Sequence, residues 1–443
     1  MPASPQGPSA RIAIAVALMV AAIVAAPLTP ASALTTETRW VSVHPGQAQN
    51  GTSLYDSSPI SADGRFVAFQ SEARSIVPND MNLRGDVFVR DLVTLTTTRV
   101  SVSSDGDEAD DASYFPAISS DGRFVAFESV ATNLVPDDTN GGSDVFVHDR
   151  TTKTTMRVSV SSDGAQGTLA SYAPTISADG RFVAFESGAT NLVPNDTNQM
   201  ADVFVHDLVT HTTSRVSVNS EGEQTDNRVI GDPAISANGR FVAFWSDAPT
   251  LVPKDTNDAP DVFVHDLRAG KTRMVSINSG GEHGNSNSLH PAISANGRFV
   301  AFESWATNLV RNDTNGETDV FVRDRKTRTT RRVSLRFDGD QAEDGSYTPA
   351  ISAHGRFVAF VSFAETVVPN DTNGRGDVFV RDRTTHMTTR VNISSDGDQL
   401  EDASTLNPAI SADGRFVTFE TDAAAVPGDT NDADDVYVRG PLS

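Results

Sequence analysis

The sequence contains no cysteine and is short of positive charge. Its 443 residues carry 58 acidic and 35 basic side chains, which gives a formal net charge of −23. Without cysteine there can be no disulfide, no lipid-modified thiol and no thiol chemistry, so stability has to come from core burial. The acidic excess repels nucleic acid and anionic membranes, and it favours cations or basic partners. We therefore expect no nucleic-acid partner, while the same charge also serves solubility.

Long apolar runs are missing too, apart from one near the N-terminus. Residues 12–26 read IAIAVALMVAAIVAA, a run that follows Arg11 and is too short to span a bilayer comfortably. Ala31, Ser32 and Ala33 then provide the small-x-small pattern that a signal peptidase accepts. We predict a secretory signal over residues 1–33, cleaved after Ala33. The mature chain, residues 34–443, would have no membrane span and would be periplasmic or extracellular.

Helical periodicity is absent after this segment, and a repeat takes its place. The tripeptide Gly-Arg-Phe recurs at intervals of 58 or 59 residues, with its glycine at Gly64, Gly122, Gly180, Gly239, Gly297, Gly355 and Gly414. Every repeat has apolar segments like those at residues 116–129, 144–149 and 157–161. The first of these contains an Asp-Gly or Asn-Gly turn between two β-rich runs, which indicates a hairpin. Each repeat is therefore predicted to contain four strands.

Seven four-stranded units at regular spacing predict an all-β fold, a seven-bladed β-propeller forming a single domain over residues 34–443. The ends of the chain are out of phase with the repeat. TRWVSV, residues 38–43, is a fourth-strand segment with no blade before it, and DVYVRG, residues 435–440, has no such segment after it. We therefore expect the N-terminal strand to complete the last blade, which would remove two open sheet edges. A monomer is expected.

The repeat PAISADGRFVAFES followed by DVFVRD resembles the TolB-like, WD-repeat-like bacterial propeller repeat. In that family a blade carries a turn with Asp-Gly, an apolar strand and a further apolar strand that ends in aspartate. The resemblance covers essentially all of the mature chain and implies a propeller fold. It implies little about function, because propellers serve many functions.

A ladder of ion pairs is predicted at one edge of the blades. The arginine of Gly-Arg-Phe begins the second strand at the edge where an aspartate ends the antiparallel third strand, as with Arg123 and Asp149. Six repeats can form this pair, and the seventh has Arg415 but Gly440 in place of the aspartate. The pairs would organise neighbouring strands. Anion binding is the alternative role for these arginines.

Each repeat also carries an aspartate loop, with Asp, Asn and Asp at relative positions 1, 3 and 7 before the third strand. Oxygen ligands at this spacing could wrap a calcium ion, completed by carbonyls and water. Alternatively, the loop is only an Asx-turn whose last aspartate caps the strand. The triplets are Asp80/Asn82/Asp86, Asp138/Asn140/Asp144, Asp196/Asn198/Asp202, Asp255/Asn257/Asp261, Asp313/Asn315/Asp319, Asp371/Asn373/Asp377 and Asp429/Asn431/Asp435.

Ligand selectivity in a near-symmetric propeller should lie where the blades differ, and one such position precedes the first-strand proline near the top mouth of the channel. Asp232 and His290 stand there in neighbouring blades and could form a polar pair, with Asn407 as a further candidate ligand-binding residue. Variation without function is the alternative for this loop position. A second repeated position holds histidines that we expect on the strand surface: His148, His206 and His265.

These observations favour a secreted, non-catalytic binding protein that engages a protein, peptide or glycan on its acidic top face. The first alternative is a hydrolase or lyase at the channel mouth around Asp232, His290 and Asn407, with or without calcium, because propellers often carry chemistry there. The second is a calcium-stabilised structural protein of the envelope. No Ser-His-Asp arrangement at recognisable spacing is present.

Overall fold

The computed structural model describes residues 36–43, 58–225, 231, 233–255, 257–401, 406–431 and 433–442. The predicted signal segment, residues 1–33, and Asp232 lie outside this set. Thr36–Ser443 forms one compact unit. In the described ranges no helix has the length and apolar character needed to cross a membrane.

The described chain is built from short strands. In the first half they are β1 (Glu37–Trp40), β2 (Phe66–Ser71), β3 (Asp86–Asp91), β4 (Thr96–Arg99), β5 (Ser113–Ile118), β6 (Phe124–Ser129), β7 (Asp144–Asp149), β8 (Thr154–Arg157), β9 (Ser171–Ile176), β10 (Phe182–Ser187), β11 (Asp202–Asp207), β12 (Thr212–Arg215) and β13 (Ala234–Ile235). In the second half they are β14 (Phe241–Ser246), β15 (Asp261–Asp266), β16 (Lys271–Met274), β17 (Ser288–Ile293), β18 (Phe299–Ser304), β19 (Asp319–Asp324), β20 (Thr329–Arg332), β21 (Ser346–Ile351), β22 (Phe357–Ser362), β23 (Asp377–Asp382), β24 (Thr388–Arg390), β25 (Leu406–Ile410), β26 (Val417–Thr421) and β27 (Asp435–Gly440).

These strands form seven antiparallel sheets, which we number as blades in chain order. Blade 1 is β2–β4, blades 2 to 6 take four consecutive strands each from β5 to β24, and blade 7 is β25–β27 with β1. In blade 1 the bridge between Ile60 and Val67 stands where the other blades have an innermost strand. The predicted seven-bladed propeller is therefore confirmed.

Closure by the N-terminal strand is confirmed as well. β1 lies antiparallel to β27, with Glu37 opposite Gly440 and Trp40 opposite Tyr437. Beyond β1, the Val41 amide donates to the Val436 carbonyl at 2.8 Å. Strands from the two ends of the described chain thus share one sheet, which leaves no open edge between the first and last blades.

The core is divided among the interfaces between blades. The third strands are buried along nearly their whole length because sheets pack on both of their faces, as in β7. Each interface joins apolar side chains of two blades, as where Val89 of blade 1 packs in one cluster with Phe127 of blade 2. Gly122, in the predicted turn, has φ 72°, and a Cβ there would lie 2.2 Å from the Phe66 ring. The turn therefore requires glycine for both conformation and space.

The predicted ion-pair ladder is present in six blades. In blade 2, Arg123 Nε and Nη2 donate to the two oxygens of Asp149 at 3.0 and 2.6 Å. The guanidinium holds the pKa of the Asp149 carboxyl well below its usual range. The other five pairs repeat this bidentate geometry: Arg65 with Asp91, Arg181 with Asp207, Arg240 with Asp266, Arg298 with Asp324 and Arg356 with Asp382.

Candidate active site

The innermost strands surround a central channel that contains a cavity of about 560 Å³. Each blade contributes one proline to its wall: Pro59, Pro116, Pro174, Pro233, Pro291, Pro349 and Pro408. Proline suits this place because the innermost strand is an edge strand, and a residue without an N–H leaves no donor exposed to the channel. Since the proline is the same in every blade, selectivity has to come from neighbouring positions of the wall.

The residue before the proline is the variable one, and it sits in a β-bulge. In blade 2 the pairing of β5 with β6 shifts between Tyr114 and Ala117. Phe115 in this bulge has φ 50° and lines the cavity. Ser113 pairs with Ser129, the last residue of β6, so the bulge lies at the end of the blade that carries the aspartate loop. We call this end the top face. A bulge re-aims a side chain, and bulges are common beside active sites.

His290 occupies this bulge in blade 5 and lies against a carboxylate. It has φ 47° and lines the cavity, and 41% of its side chain is exposed. Its Nδ1 is 3.0 Å from Oε1 of Glu303. Glu303 is on β18 of the same blade and is buried, and its other oxygen accepts the Thr348 amide of blade 6 at 2.8 Å. The carboxylate is thus fixed by two blades while it faces the imidazole.

Other blades contain part of this arrangement. Glu128 accepts the Ala173 amide at 2.9 Å, and Gln70 accepts the Phe115 amide at the same distance. The corresponding strand position holds Glu186, Glu303 and Glu420 in three further blades, and Trp245 and Val361 in the remaining two. Only in blade 5 does the described chain pair such a glutamate with a bulge histidine.

Glu303 was not among the candidate residues predicted from the sequence. The sequence did contain a signal for it. Glu303 is the fifth residue of FVAFES, a charged side chain in a strand whose first four residues are apolar. A buried charge needs a partner, so such a residue indicates either a structural contact or a site. Of the predicted mouth residues, His290 and Asn407 both line the cavity. The predicted pairing of His290 with Asp232 falls on a residue that the structure does not describe.

The asparagine of each aspartate loop forms an Asx-turn, which is the alternative role that the sequence offered for the loop. In blade 2 the Asn140 side-chain oxygen accepts the Gly142 amide at 2.9 Å, and its nitrogen donates to the Gly167 carbonyl at 3.0 Å. The other six asparagines use their oxygen in the same way: Asn82 for the Arg84 amide, Asn198 for Met200, Asn257 for Ala259, Asn315 for Glu317, Asn373 for Arg375 and Asn431 for Ala433.

The side-chain nitrogens of these asparagines are also engaged. In four blades the nitrogen faces the last aspartate of its own loop, as Asn431 does with Asp435 at 3.1 Å and Asn82 with Asp86 at 3.4 Å. In six blades it donates to a backbone carbonyl of the loop that follows the fourth strand, as Asn198, Asn315 and Asn373 do at 2.8 to 3.0 Å. All seven asparagines are thus turn residues, and whether they also bind a metal ion stays a prediction.

In five blades the two aspartates of the loop contact an arginine of the same sheet. In blade 2, Arg157 Nη1 lies 3.3 Å from an oxygen of Asp138 and 3.3 Å from one of Asp144. A calcium ion in this loop would have to displace the guanidinium, because one position cannot hold both cations. The other four contacts are Arg99 with Asp80 and Asp86, Arg215 with Asp196 and Asp202, Arg332 with Asp313 and Asp319, and Arg390 with Asp371 and Asp377.

Blade 1 adds a third acid to this arrangement. Glu108 also contacts Arg99, and oxygens of Asp80, Asp86 and Glu108 lie within 4.8 Å of one another. This group of acids could hold a metal ion. The calcium prediction as such stays a prediction.

Blade 4 has the loop but not the arginine. Met274 faces Phe263 at the strand position where Arg157 faces Phe146. Asp261 is fully buried, accepts the Ser276 hydroxyl at 2.5 Å and the Asn257 amide at 2.8 Å, and has its pKa raised to about 7 by burial.

The neighbouring acid in blade 4, Asp255, is close to an imidazole, with His283 Nδ1 at 4.0 Å from its Oδ1.

Blade 7 also differs from the five blades in which an arginine contacts the loop aspartates. Trp40 pairs with Tyr437 at the arginine position, the Tyr437 hydroxyl donates to Asp429, and burial raises the pKa of Asp435 to about 6.

The prediction that His148, His206 and His265 lie on the strand surface is wrong. All three are buried on third strands. His148 Nδ1 is 2.9 Å from the Thr155 hydroxyl, which donates to the Val102 carbonyl of the preceding blade at 2.5 Å. Burial lowers the pKa of His148 to about 4, so the imidazole is neutral and serves packing between blades.

Neither a protein-family model nor a curated protein matches the sequence. The fold, however, has counterparts among solved structures. An oligogalacturonate lyase in complex with manganese is 14% identical, with a TM-score of 0.53, 92% of this chain and 96% of that chain covered. The oligogalacturonate lyase of Vibrio parahaemolyticus is 11% identical, with a TM-score of 0.52 and coverage of 92% and 97%. TolB of Acinetobacter baumannii is 12% identical, with a TM-score of 0.39 and coverage of 88% and 78%.

These neighbours bear on two predictions. The propeller implied by the TolB-like repeat is confirmed as a fold by the sheets themselves. The prediction of a non-catalytic binding protein is corrected, because the two lyases are enzymes that share the propeller over nearly their full length. The alternative of an enzyme with its site at the channel mouth agrees better with this finding. At these identities the likeness itself is one of fold.

Proposed function

We propose that the protein is a lyase that acts on an oligosaccharide at the top mouth of the channel, with His290 as its proton-transfer residue. The observation that carries the proposal is the 3.0 Å contact between His290 Nδ1 and a buried Glu303 in the wall of the cavity. A carboxylate at one ring nitrogen fixes the tautomer and orientation of an imidazole. Nε2 would then be the nitrogen that exchanges a proton with the substrate.

The reaction that suits this pair is β-elimination next to a uronate carboxylate. His290 would take the proton from the carbon that bears the carboxylate. The electron pair of that C–H bond would form a carbon–carbon double bond, the C–O bond to the neighbouring sugar would break, and the departing oxygen would receive a proton. Glu303 would stabilise the imidazolium formed in the first step. The oligogalacturonate named for the structural neighbours belongs to this substrate class.

The test is a panel of oligouronates, neutral oligosaccharides and acyl esters with the purified full chain. Elimination is measured by the ultraviolet absorbance of the unsaturated product. His290→Ala should lower kcat by about 100-fold or more, the usual contribution of a general base. Glu303→Gln should reduce kcat less and shift the pH profile, because the imidazole keeps its place but loses its counter-charge.

His354→Ala is the matched control, since His354 is an exposed histidine that does not line the channel. Full activity in His290→Ala, or no turnover of any uronate, would refute the lyase proposal. Saturated products that disappear with His290→Ala would assign the same site to a hydrolase.

We propose blade 4 as the place of the calcium predicted from the sequence. Support comes from Met274, which stands where five other blades place an arginine, and from the carboxylate of Asp261, which is fully buried beside it. Carboxylate oxygens are ligands that calcium prefers. Calcium should raise the melting temperature of the chain, and Asp261→Asn should abolish the rise while Asp144→Asn in blade 2 leaves it. An equal melting temperature in calcium and in chelator would contradict the assignment.

We also propose export, with cleavage of residues 1–33 after Ala33. Support comes from the apolar run at residues 12–26 and the small residues that follow it. N-terminal sequencing of the protein recovered outside the cytoplasm should begin at Leu34. An exported chain that still begins at Met1 would contradict the proposal.

A further inference from the structure

Positive charge is concentrated in one region of this acidic protein. Residues 323–332 read RDRKTRTTRR and contain six basic side chains and one acidic one, within a chain of net charge −23. This segment is the hairpin between β19 and β20 of blade 5. The corresponding hairpin of blade 6, residues 381–390, adds three arginines and His386. In blade 3, by contrast, residues 206–215 contain a single arginine.

The two basic hairpins meet at a cleft between blades 5 and 6. The cleft has a volume of about 170 Å³ and is separate from the channel. Blade 5 contributes Arg331, Arg332, Val333 and Leu335, and blade 6 contributes Arg381, Arg383 and His386. A liquid water molecule occupies about 30 Å³, so the space suffices for a small ion together with water.

Most of the arginines in this cleft have neutral partners. Arg381 is buried and its Nη1 donates to the Thr388 hydroxyl at 2.8 Å. Arg383 lies over the Phe299 ring at 4.8 Å and donates to the Gly355 carbonyl. In the described part of the chain no acid is within ion-pair distance of Arg331, Arg381 or Arg383, in contrast to Arg332, which contacts Asp319 at 2.5 Å.

The aspartates within the two basic hairpins, Asp324 and Asp382, are engaged elsewhere. Asp324 is held by Arg298 at 3.0 and 2.6 Å, and Asp382 is held by Arg356 at 3.1 and 2.6 Å. Burial lowers the pKa of Arg383; the charge of Asp324 opposes this, and Arg331 reinforces it. Of the four arginines that line the cleft, only Arg332 therefore has an acid within ion-pair distance in the described residues.

The adjacent interface shows that such a cleft is not required by the fold. In blade 5, Arg323 stands where Arg381 stands in blade 6, opposite a threonine in each case. Arg323 Nη1 donates to the Thr330 hydroxyl and also reaches back to the carbonyls of Ile277 and Asn278 in blade 4 at 3.3 and 3.0 Å. Arg381 makes no such contact with blade 5 in the described structure, and the cleft lies between them.

We propose that the cleft between blades 5 and 6 binds a tetrahedral oxyanion, a phosphate or sulfate group, held by Arg331, Arg381 and Arg383. Arginines converging on one small space provide the charge and the several donors that such an anion requires. The anion is either a free ion or an ester group on a larger molecule. The cleft lies at the hairpins between the third and fourth strands and shares no lining residue with the channel cavity that contains His290.

Isothermal titration calorimetry with inorganic phosphate, inorganic sulfate and a sugar phosphate tests the proposal on the full chain. Saturable 1:1 binding is expected, and it should persist against chloride at matched ionic strength. Arg331→Gln should weaken it about tenfold through the loss of a charged hydrogen bond. Because Arg331 is exposed, this variant should fold normally. Arg331→Lys should recover part of the affinity.

Arg273→Gln is the matched control, since Arg273 holds the position of Arg331 at the blade 4–5 interface. It should leave the affinity unchanged. Tighter binding of the sugar phosphate than of either inorganic ion would identify an ester as the ligand, and equal binding would identify the free ion. Absence of saturable binding, replacement by chloride, or an unchanged affinity in Arg331→Gln would refute the site.

Discussion

Blades 2 and 4 contain the same aspartate loop, but only blade 2 supplies an arginine to it. Arg157 bridges Asp138 and Asp144 in blade 2, whereas blade 4 has Met274 at that strand position. The loop keeps its Asx-turn in both blades, as Asn140 and Asn257 bond the backbone alike. The turn therefore does not depend on the arginine. What differs is the cost of burying two carboxylates, and this cost can be measured.

The largest effect should come from making blade 2 like blade 4. Arg157→Met leaves Asp138 and Asp144 buried without their cation, and removing one partner of a buried ion pair costs about 3–5 kcal/mol. Urea denaturation at neutral pH measures the loss. Lys153→Met is the control, because Lys153 is exposed in the same hairpin and should change the unfolding free energy little. Equal effects of the two variants would show that the guanidinium does not compensate these acids.

A somewhat smaller effect is expected in blade 4 and should depend on pH. Burial raises the pKa of Asp261 from 3.8 to about 7, so the folded state binds the proton more tightly than the unfolded chain does. Proton binding by Asp261 therefore adds to the free energy of unfolding. The full contribution is present below about pH 4 and is lost as the pH rises through about 7. Asp261→Asn should therefore stabilise the protein at pH 8 by about 2–4 kcal/mol, since one pKa unit corresponds to about 1.4 kcal/mol.

The free energy of unfolding should be measured against pH for both Asp261→Asn and the parent protein. The difference between the two free energies separates the titration of Asp261 from that of the other acids. The difference should grow between about pH 4 and pH 7 and then level off. A difference independent of pH would contradict the assigned titration. Met274→Arg is the complementary variant, and it should reduce the same difference because it returns the blade 2 arrangement.

The smallest effect is expected at the ladder, where the two blades do not differ. Arg123→Gln in blade 2 and Arg240→Gln in blade 4 each remove a bidentate pair whose arginine is exposed to solvent. Because water screens such pairs, both variants should lower the urea midpoint slightly and by similar amounts. A much larger loss in one blade would mean that the ladder, like the loop, distinguishes blades.

Most of the fold could be predicted from the sequence because each blade repeats the same local signals. The Asp-Gly turn, the two-sided apolar strands and the arginine–aspartate spacing are present in single repeats, and closure by β1 followed from the phase of the chain ends. The site was predictable only in part. His290 was a candidate, but Glu303 was not, because its partner lies across a bulge that local patterns do not reveal.

The surface position predicted for the three strand histidines was wrong for a related reason. His148 alternates along its strand as a surface residue would, and it is buried because the preceding blade covers it and provides the Val102 carbonyl. The arginine that contacts the aspartates of the loop was also not predicted. Arg157 is 19 residues from Asp138 and 13 from Asp144 in the chain, and β-pairing brings the three together.

The sequence by itself determined the number of blades, their strand order, the closing strand and the six ladder pairs. These features depend on local propensity and on a repeat of 58 or 59 residues that the sequence shows directly. The tertiary structure alone decided which charges meet outside the ladder. It set Glu303 against His290, Arg157 between two aspartates, and four arginines around a cleft. The physical reason is that burial and contact between blades fix the dielectric and the partner of each charged group, and both arise only when the sheets pack together.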